Sequence, residues 1–376
     1  MPPTPFRIAV DQAVIDDLKR RLAGTRWPDE LPGTGWEYGA DIDYIKEFCD
    51  YWRQEYDWRR HEEALNAHPQ FLSTIDGVDI HYWHVRGTGP NPLPLCLIHG
   101  WPGSIYEFLE LIGPLTDPGA HGGDPADAFD VVIPALPGFG FSGKPAEPGW
   151  GVTRIAHAYN TLMTSELGYQ RYGVQGGDWG GIISGKLAAE YPEHVLAAHL
   201  NFVVAGPPSE MTDEDRAVLE ERNAFQARET GYSNVQATKP MSLAAAQSDS
   251  PAGLAAWIVE KFHTWSDCGG DLESVYSKDQ LLTNIMFYWA PNSIASAARI
   301  YYESMRDPHA FRYPKPDTPV GVAVFPGEPW RVPRHWAEHR FNIQHWSEMP
   351  RGGHFAAMEQ PSLLLGDVRE FFRRFR

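Results

Sequence analysis

Gly176-Gly177-Asp178-Trp179-Gly180 follows a short apolar run, Tyr172 to Gln175, and opens a segment, Ile182 to Glu190, that reads as a helix. Strand, sharp turn and helix in that order are the setting of a nucleophile elbow, here written G-x-D-x-G instead of G-x-S-x-G. Small residues flank such a turn because the strand and helix backbones nearly touch. Aspartate in the central position changes the chemistry open to the turn. A carboxylate is a weaker nucleophile than an activated hydroxyl. It suits displacement of a leaving group from saturated carbon, and the resulting ester must then be cleaved by water. Alone, the pentapeptide also reads as a tight turn with a solvated Asp, so its neighbours decide.

Short apolar strands alternate with amphipathic helices around this turn. Strands are expected at Leu93 to Ile98, Phe129 to Pro134, Tyr172 to Gln175 and Val195 to Phe202, with helices at Ser104 to Leu115 and Val152 to Leu167. That alternation predicts an α/β fold, a mostly parallel sheet with helices on both faces. Before it, Phe71 to Ile75 and Val78 to Val85 flank Asp76-Gly77, a hairpin signal. After the sixth of these strands the pattern breaks. Thr212-x-x-Asp215 is a capping box opening a charged helix. Gly253 to Trp265 and Asn284 to Arg306 also look helical, so residues 206–311 are expected to form a helical cap. Strand and helix order resumes with Val320 to Phe325, Phe341 to Trp346 and the helix Pro361 to Phe375. The core is thus expected at 71–205 and 312–376. Residues 1–70, with helical spacing at Val14, Ile15, Leu18 and Leu22 and again from Ile42 to Trp58, form an N-terminal helical extension packed on it.

Composition narrows the partners. A formal net charge of −17 argues against nucleic acid and anionic membranes. Cys49, Cys96 and Cys268 are odd in number, widely spaced and in no C-x-x-C pattern, and read as reduced thiols of a cytoplasmic protein. The chain has no apolar run long enough for a membrane span, and its first residues lack the pattern of a signal peptide. With 14 Trp, 16 Tyr and 18 Phe, a core or pocket lined by aromatic rings is expected.

An elbow of this kind is followed in the chain by an acid and then a histidine. Gly352-Gly353-His354-Phe355 lies just beyond the last strand, and Pro326-Gly327-Glu328 follows the strand before it. His354 would activate water, while Glu328 would orient the imidazole and stabilise its cation. Glu348 sits too close to His354 in the chain to reach it from another strand end, and Glu359 follows the histidine, so both rank below Glu328. His99-Gly100-Trp101-Pro102-Gly103-Ser104 directly follows the strand ending at Ile98. The loop at that place and the residue after the nucleophile supply oxyanion-hole N–H groups, here those of Trp101 and Trp179. Pro102 has no N–H to give.

Taken together these segments resemble the epoxide hydrolases of the α/β hydrolase superfamily, in the microsomal-like branch that carries an N-terminal extension. The resemblance spans nearly the whole chain. It rests on Leu18-x-x-Arg21-Leu22-x-x-Thr25-Arg26-Trp27-Pro28-Asp29-Glu30, on the His99 to Ser104 and Gly176 to Gly180 motifs, and on Phe325-Pro326-Gly327-Glu328 and Gly353-His354-Phe355. It implies a small-molecule epoxide as substrate and a vicinal diol as product, made through an ester on Asp178, with no metal and no organic cofactor. It also implies two cap tyrosines that hold the epoxide oxygen. Glu229-Thr230-Gly231-Tyr232 and Arg299-Ile300-Tyr301-Tyr302-Glu303 match those regions, with Tyr301 the better aligned of its pair. The branch's membrane-bound members carry an N-terminal anchor that has no counterpart here, which implies a soluble enzyme. A homodimer is a possible assembly.

The nearest rival is a haloalkane dehalogenase, which uses the same Asp nucleophile but binds halide through indole or amide donors, a part Trp101 and Trp179 could take. The tyrosine pair speaks against it. Fluoroacetate-type dehalogenation needs arginines beside the elbow, and Gly180-Gly181-Ile182-Ile183 offers none. A serine esterase lacks its elbow here.

Overall fold

A computed structural model describes residues 3–376. Nine strands form one sheet: β1 (Thr4–Phe6), β2 (Gln70–Ile75), β3 (Val78–Val85), β4 (Leu93–Ile98), β5 (Phe129–Pro134), β6 (Tyr172–Gly176), β7 (Val195–Leu200), β8 (Pro319–Val324) and β9 (Asn342–Glu348). Their spatial order is β1-β2-β3-β5-β4-β6-β7-β8-β9. The pairs β1–β2, β2–β3 and β3–β5 are antiparallel, and every pair from β5–β4 to β8–β9 is parallel. This is the α/β hydrolase fold expected from the sequence. The β2–β3 hairpin turns through Asp76 and Gly77, both at positive φ (51° and 78°), as its D-G pair requires.

Helices cover both faces. On β6, the Tyr172 hydroxyl donates to Asn160 of helix Val152–Thr161 at 2.9 Å. Its neighbour Gly173 points the other way, against Phe372 of the C-terminal helix Pro361–Phe372. Alternate residues of a strand face opposite sides, so one strand touches both helical layers.

Three features depart from the sequence reading. β1 belongs to the sheet, so the cap follows the seventh strand and not the sixth. A three-residue strand containing Pro5 carries no alternation signal, and Pro sits at the sheet edge where its missing N–H costs nothing. The expected helix Asn284 to Arg306 is two helices, Lys278–Trp289 and Ile294–Ser304. Pro291 cannot extend the first, and Asn292 turns through a left-handed φ of 51°. The run Val152 to Leu167 is α-helical only to Thr161 and closes in a π turn, Leu162–Glu166.

Six α-helices lie between β7 and β8, from Asp213–Glu229 to Ile294–Ser304, with no strand among them. The first opens on the expected capping box, Thr212 Oγ1 accepting from Asp215 N–H at 3.1 Å and Asp215 accepting from Thr212 N–H at 2.8 Å. Asp215 also accepts from the Trp336 indole at 2.6 Å, tying that helix to the segment between β8 and β9.

The sheet order reverses at β4, which lies between β5 and β6. In open α/β sheets, the crevice outside the carboxyl ends of the strands at such a reversal is where ligands bind. The loops after β4 and β6 meet there because helix Asp178–Glu190 packs against the end of β4 with almost nothing between. A Cβ on Gly180 would lie 1.8 Å from the Ile98 carbonyl oxygen, and one on Gly176 would lie 2.4 Å from the Gly180 carbonyl carbon. These are backbone atoms and cannot swing aside. Gly180→Ala should therefore cost about 3 kcal/mol or more of unfolding free energy in urea titration. An unchanged midpoint would show that this contact is not tight.

Candidate active site

Asp178 is the first residue of its helix and has φ +49°, a left-handed conformation that non-glycine residues seldom adopt. The turn therefore lifts its carboxylate out over the carboxyl ends of β4 and β6. Trp101 N–H donates to Asp178 Oδ1 at 2.8 Å. Gly100 allows this approach, since a Cβ there would fall 2.2 Å from the same oxygen. Burial raises the pKa of Asp178, while the charge of His354 and the N–H groups of Trp101 and Trp179 pull it back down.

Glu328 and His354 come from the loops after β8 and β9. These loops are zipped together: Gly327 bridges Gly353, and Gly327 N–H donates to Gly352 O at 2.8 Å. Glu328 Oε2 meets His354 Nδ1 at 2.7 Å, and Trp330 N–H donates to Glu328 Oε1 at 2.9 Å. Both carboxylate oxygens are thus held, and Glu328 is 4% exposed. The other imidazole nitrogen, Nε2, faces Asp178 Oδ2 at 3.6 Å. Burial would lower the His354 pKa, but Glu328, Asp178 and Glu107 outweigh it and raise it to about 9. A single imidazolium therefore sits among three acidic side chains.

Tyr232 and Tyr301 reach the same point from helices Gly231–Thr238 and Ile294–Ser304 of the cap. The Tyr232 ring stacks on Trp101 (centroids 5.0 Å apart, 8° between planes), and Tyr301 meets Trp179 edge-on at 4.7 Å. The Tyr301 hydroxyl is buried without a hydrogen-bond partner. Burial, first of all, holds both phenols above their ordinary pKa, so both are protonated at neutral pH. Tyr302 differs from its neighbour: it lies beneath the Arg306 guanidinium, 3.5 Å from its ring centroid. Asp178, His354, Tyr232, Tyr301, Trp179 and Phe202 share the walls of a cavity of about 260 Å³, most of whose remaining lining is apolar.

The structure thus brings the other six residues singled out in the sequence around the Asp178 carboxylate. It adds groups that the motifs did not mark. Trp265 of the cap packs edge-on against the His354 ring at 4.9 Å, and its carbonyl accepts His354 N–H at 2.9 Å. Asp267 Oδ2 accepts Gly352 N–H at 2.8 Å. Glu359 does not touch the imidazole. Its carboxylate accepts Phe355 N–H and Asp267 N–H, each at 2.9 Å, and so clamps the histidine loop to the cap. Glu107 lines a second, smaller cavity with Asp178 and His354. Its signal in the sequence is a lone acid in the apolar turn Ile105–Phe108, just after the His99 to Ser104 motif. Cys49, Cys96 and Cys268 are buried and unpaired. Among the described residues no helix is long and apolar enough to cross a membrane.

Known proteins are similar to this chain over nearly its full length. Residues 3–108 match the family model described as epoxide hydrolase N terminus, and residues 94–262 match that of the alpha/beta hydrolase fold. A provisionally named epoxide hydrolase of Stigmatella aurantiaca is 46% identical over 99% of this chain and 85% of its own length. Epoxide hydrolase 1 of Oryctolagus cuniculus is 37% identical over 98% of this chain and 88% of its own. Among solved structures, juvenile hormone epoxide hydrolase of the silkworm Bombyx mori superposes with a TM-score of 0.91 at 30% identity, covering 100% of this chain and 95% of that one. With its fold, its carboxylate elbow and full-length relatives of this kind, the chain belongs to the epoxide hydrolase family.

Proposed function

We propose that this chain opens an apolar epoxide to a vicinal diol in two steps, through an ester on Asp178. The observation that carries the reading is the position of the Asp178 carboxylate. One oxygen is held by Trp101 N–H, the other faces His354, and the unpartnered Tyr301 hydroxyl lies across the same cavity. In the first step a carboxylate oxygen attacks one epoxide carbon. The C–O bond of the strained ring breaks, and Tyr232 and Tyr301 stabilise the departing oxygen and supply its proton. In the second step, water activated by His354 attacks the ester carbonyl carbon. The N–H groups of Trp101 and Trp179 then face the developing oxyanion. The apolar walls favour a substrate without charge, since a buried charge lacking a partner there would be costly.

The charges of the site suit this order. In the free enzyme, His354 is a cation held chiefly by Glu328 and Asp178. Esterification removes the charge of Asp178, so the imidazole loses one of the groups that hold its proton. Its pKa falls when a neutral base is needed. The hydrolysis step, followed by rapid quench, should rise with pH to a plateau with its midpoint below the free-enzyme value of about 9. A midpoint at or above that value would contradict the coupling.

Single turnover of styrene oxide in heavy-oxygen water tests the ester itself. The first diol should carry unlabelled oxygen from Asp178, and the label should remain on the protein. Asp178→Ala should lower turnover by at least about 10⁴-fold. Label appearing wholly in the first diol would instead mean direct attack by water.

The indole N–H groups of Trp101 and Trp179 also have no partners, the feature that a halide site would use. That reading assigns no work to the tyrosines. Tyr301→Phe should slow ester formation from styrene oxide on the order of 10- to 100-fold. An unaffected rate, together with bromide release from a bromoalkane, would favour dehalogenation.

A further inference from the structure

Asp178 and His354 each line two cavities. The larger one, toward the cap, also contains Tyr232 and Tyr301. The smaller one lacks the tyrosines and is bounded by Gly100, Trp101, Glu107, Gly177, Asp178 and His354, among others. It has room for roughly one water molecule, and its polar lining can hold one. The substrate fills the first cavity and leaves its ester on Asp178. The second is then the space from which a small nucleophile can reach the same carboxyl carbon and the same imidazole.

Glu107 is the residue of this cavity that the two-step mechanism leaves without a task. It follows the turn that carries Trp101, on the short helix Ile105–Phe108, and Ser104 caps that helix by accepting Tyr106 N–H at 3.2 Å. Gly103 leaves the room its side chain occupies: a Cβ at Gly103 would fall 1.4 Å from Glu107 Oε1. Glu107 is half-buried, and burial, reinforced by Asp178, pushes its pKa up to about 8 against the opposing pull of His354 and Ser104 N–H. It makes no side-chain ion pair within 4 Å among the described residues. Ser104 N–H acts on this carboxyl but does not use all of its acceptor capacity, and the cavity is where a further polar partner fits.

We propose that Glu107 positions the water that hydrolyses the Asp178 ester, a carboxyl oxygen accepting one O–H of that water while His354 Nε2 takes the other. This rests on the ester reading above. The water oxygen bonds to the Asp178 carboxyl carbon as one of its protons passes to His354. The ester C–O bond then breaks, and the alkoxide leaves with the proton from His354 as the second hydroxyl of the diol. The remaining water proton, left on the regenerated Asp178 carboxyl, replaces the one that the epoxide oxygen took in the first step. Glu107 is a positioning residue in this scheme: it orients the nucleophile and forms no bond to substrate.

Its role is read from the two half-reactions separately, by rapid quench and intact-protein mass with styrene oxide. In Glu107→Leu, which removes the acceptor, hydrolysis should slow at least about 10-fold while ester formation stays within about threefold. The ester then accumulates, and kcat and KM fall together with kcat/KM nearly unchanged, which a general loosening of the site would not produce. Glu107→Gln keeps one acceptor oxygen and should fall between Leu and the wild type. If the Leu variant does not fold, the Gln variant decides: about threefold slower hydrolysis supports the proposal, and a wild-type rate overturns it. Hydrolysis at the wild-type rate in Glu107→Leu, or both steps slowing in parallel, also overturns it. Failure to detect any ester in the wild-type chain would overturn the two-step reading and this one together, whereas equal hydrolysis of a detected ester overturns this one alone.

Discussion

The site depends on the closeness with which helix Asp178–Glu190 lies against the end of β4. Glycine at 176 and 180 lets two backbones come within contact distance, and no side chain could be accommodated between them. That contact sets the left-handed turn at Asp178 and brings Trp101 N–H to its carboxylate. A residue in so sparsely populated a conformation persists only where the surroundings over-determine it. Here they do, with β4 and β6 paired in parallel on one side and the helix fixed on the other. Moving the helix outward by the width of a methyl group would take the carboxylate away from both the N–H donor and the imidazole.

Electrostatics follows from that placement. Asp178, Glu328 and Glu107 act on one imidazole beside a largely apolar cavity and together hold its pKa above the ordinary value. Glu328, with one oxygen on His354 and the other on Trp330 N–H, has no freedom to follow. The imidazole is therefore held in one orientation. The cap contributes to the same rigidity. Trp265 and Asp267 bond to the backbone of the histidine loop, and Glu359 joins Asp267 to Phe355. The cap is thus laced to the base loop at one edge as well as supplying the two phenols.

Much of this was legible in the chain. The elbow, the Gly-Gly-His loop and the Pro-Gly-Glu loop are each short, and each carries its own local requirement: a tight turn, a strand end, a small residue. Such requirements act over a few residues and leave a mark in the order of letters. Asp76-Gly77 and the Thr212 capping box were legible for the same reason. β1 was not, because a three-residue edge strand is held by its partner β2 and has no pattern of its own. The break at Pro291 was visible in principle, but a continuous apolar period across Asn284 to Arg306 concealed it.

Residue types and their spacing by themselves determined the α/β architecture, the carboxylate at the elbow and the acid and histidine that follow it, because periodicity and turn chemistry are local. Only the tertiary structure decided that Tyr301 and not Tyr302 faces the cavity, that Glu359 holds a loop instead of orienting the imidazole, and that Glu107 borders a space for one water. Those outcomes depend on how elements far apart in the chain pack against each other. Packing is fixed by the sum of many weak contacts across the core, which no short stretch of sequence contains.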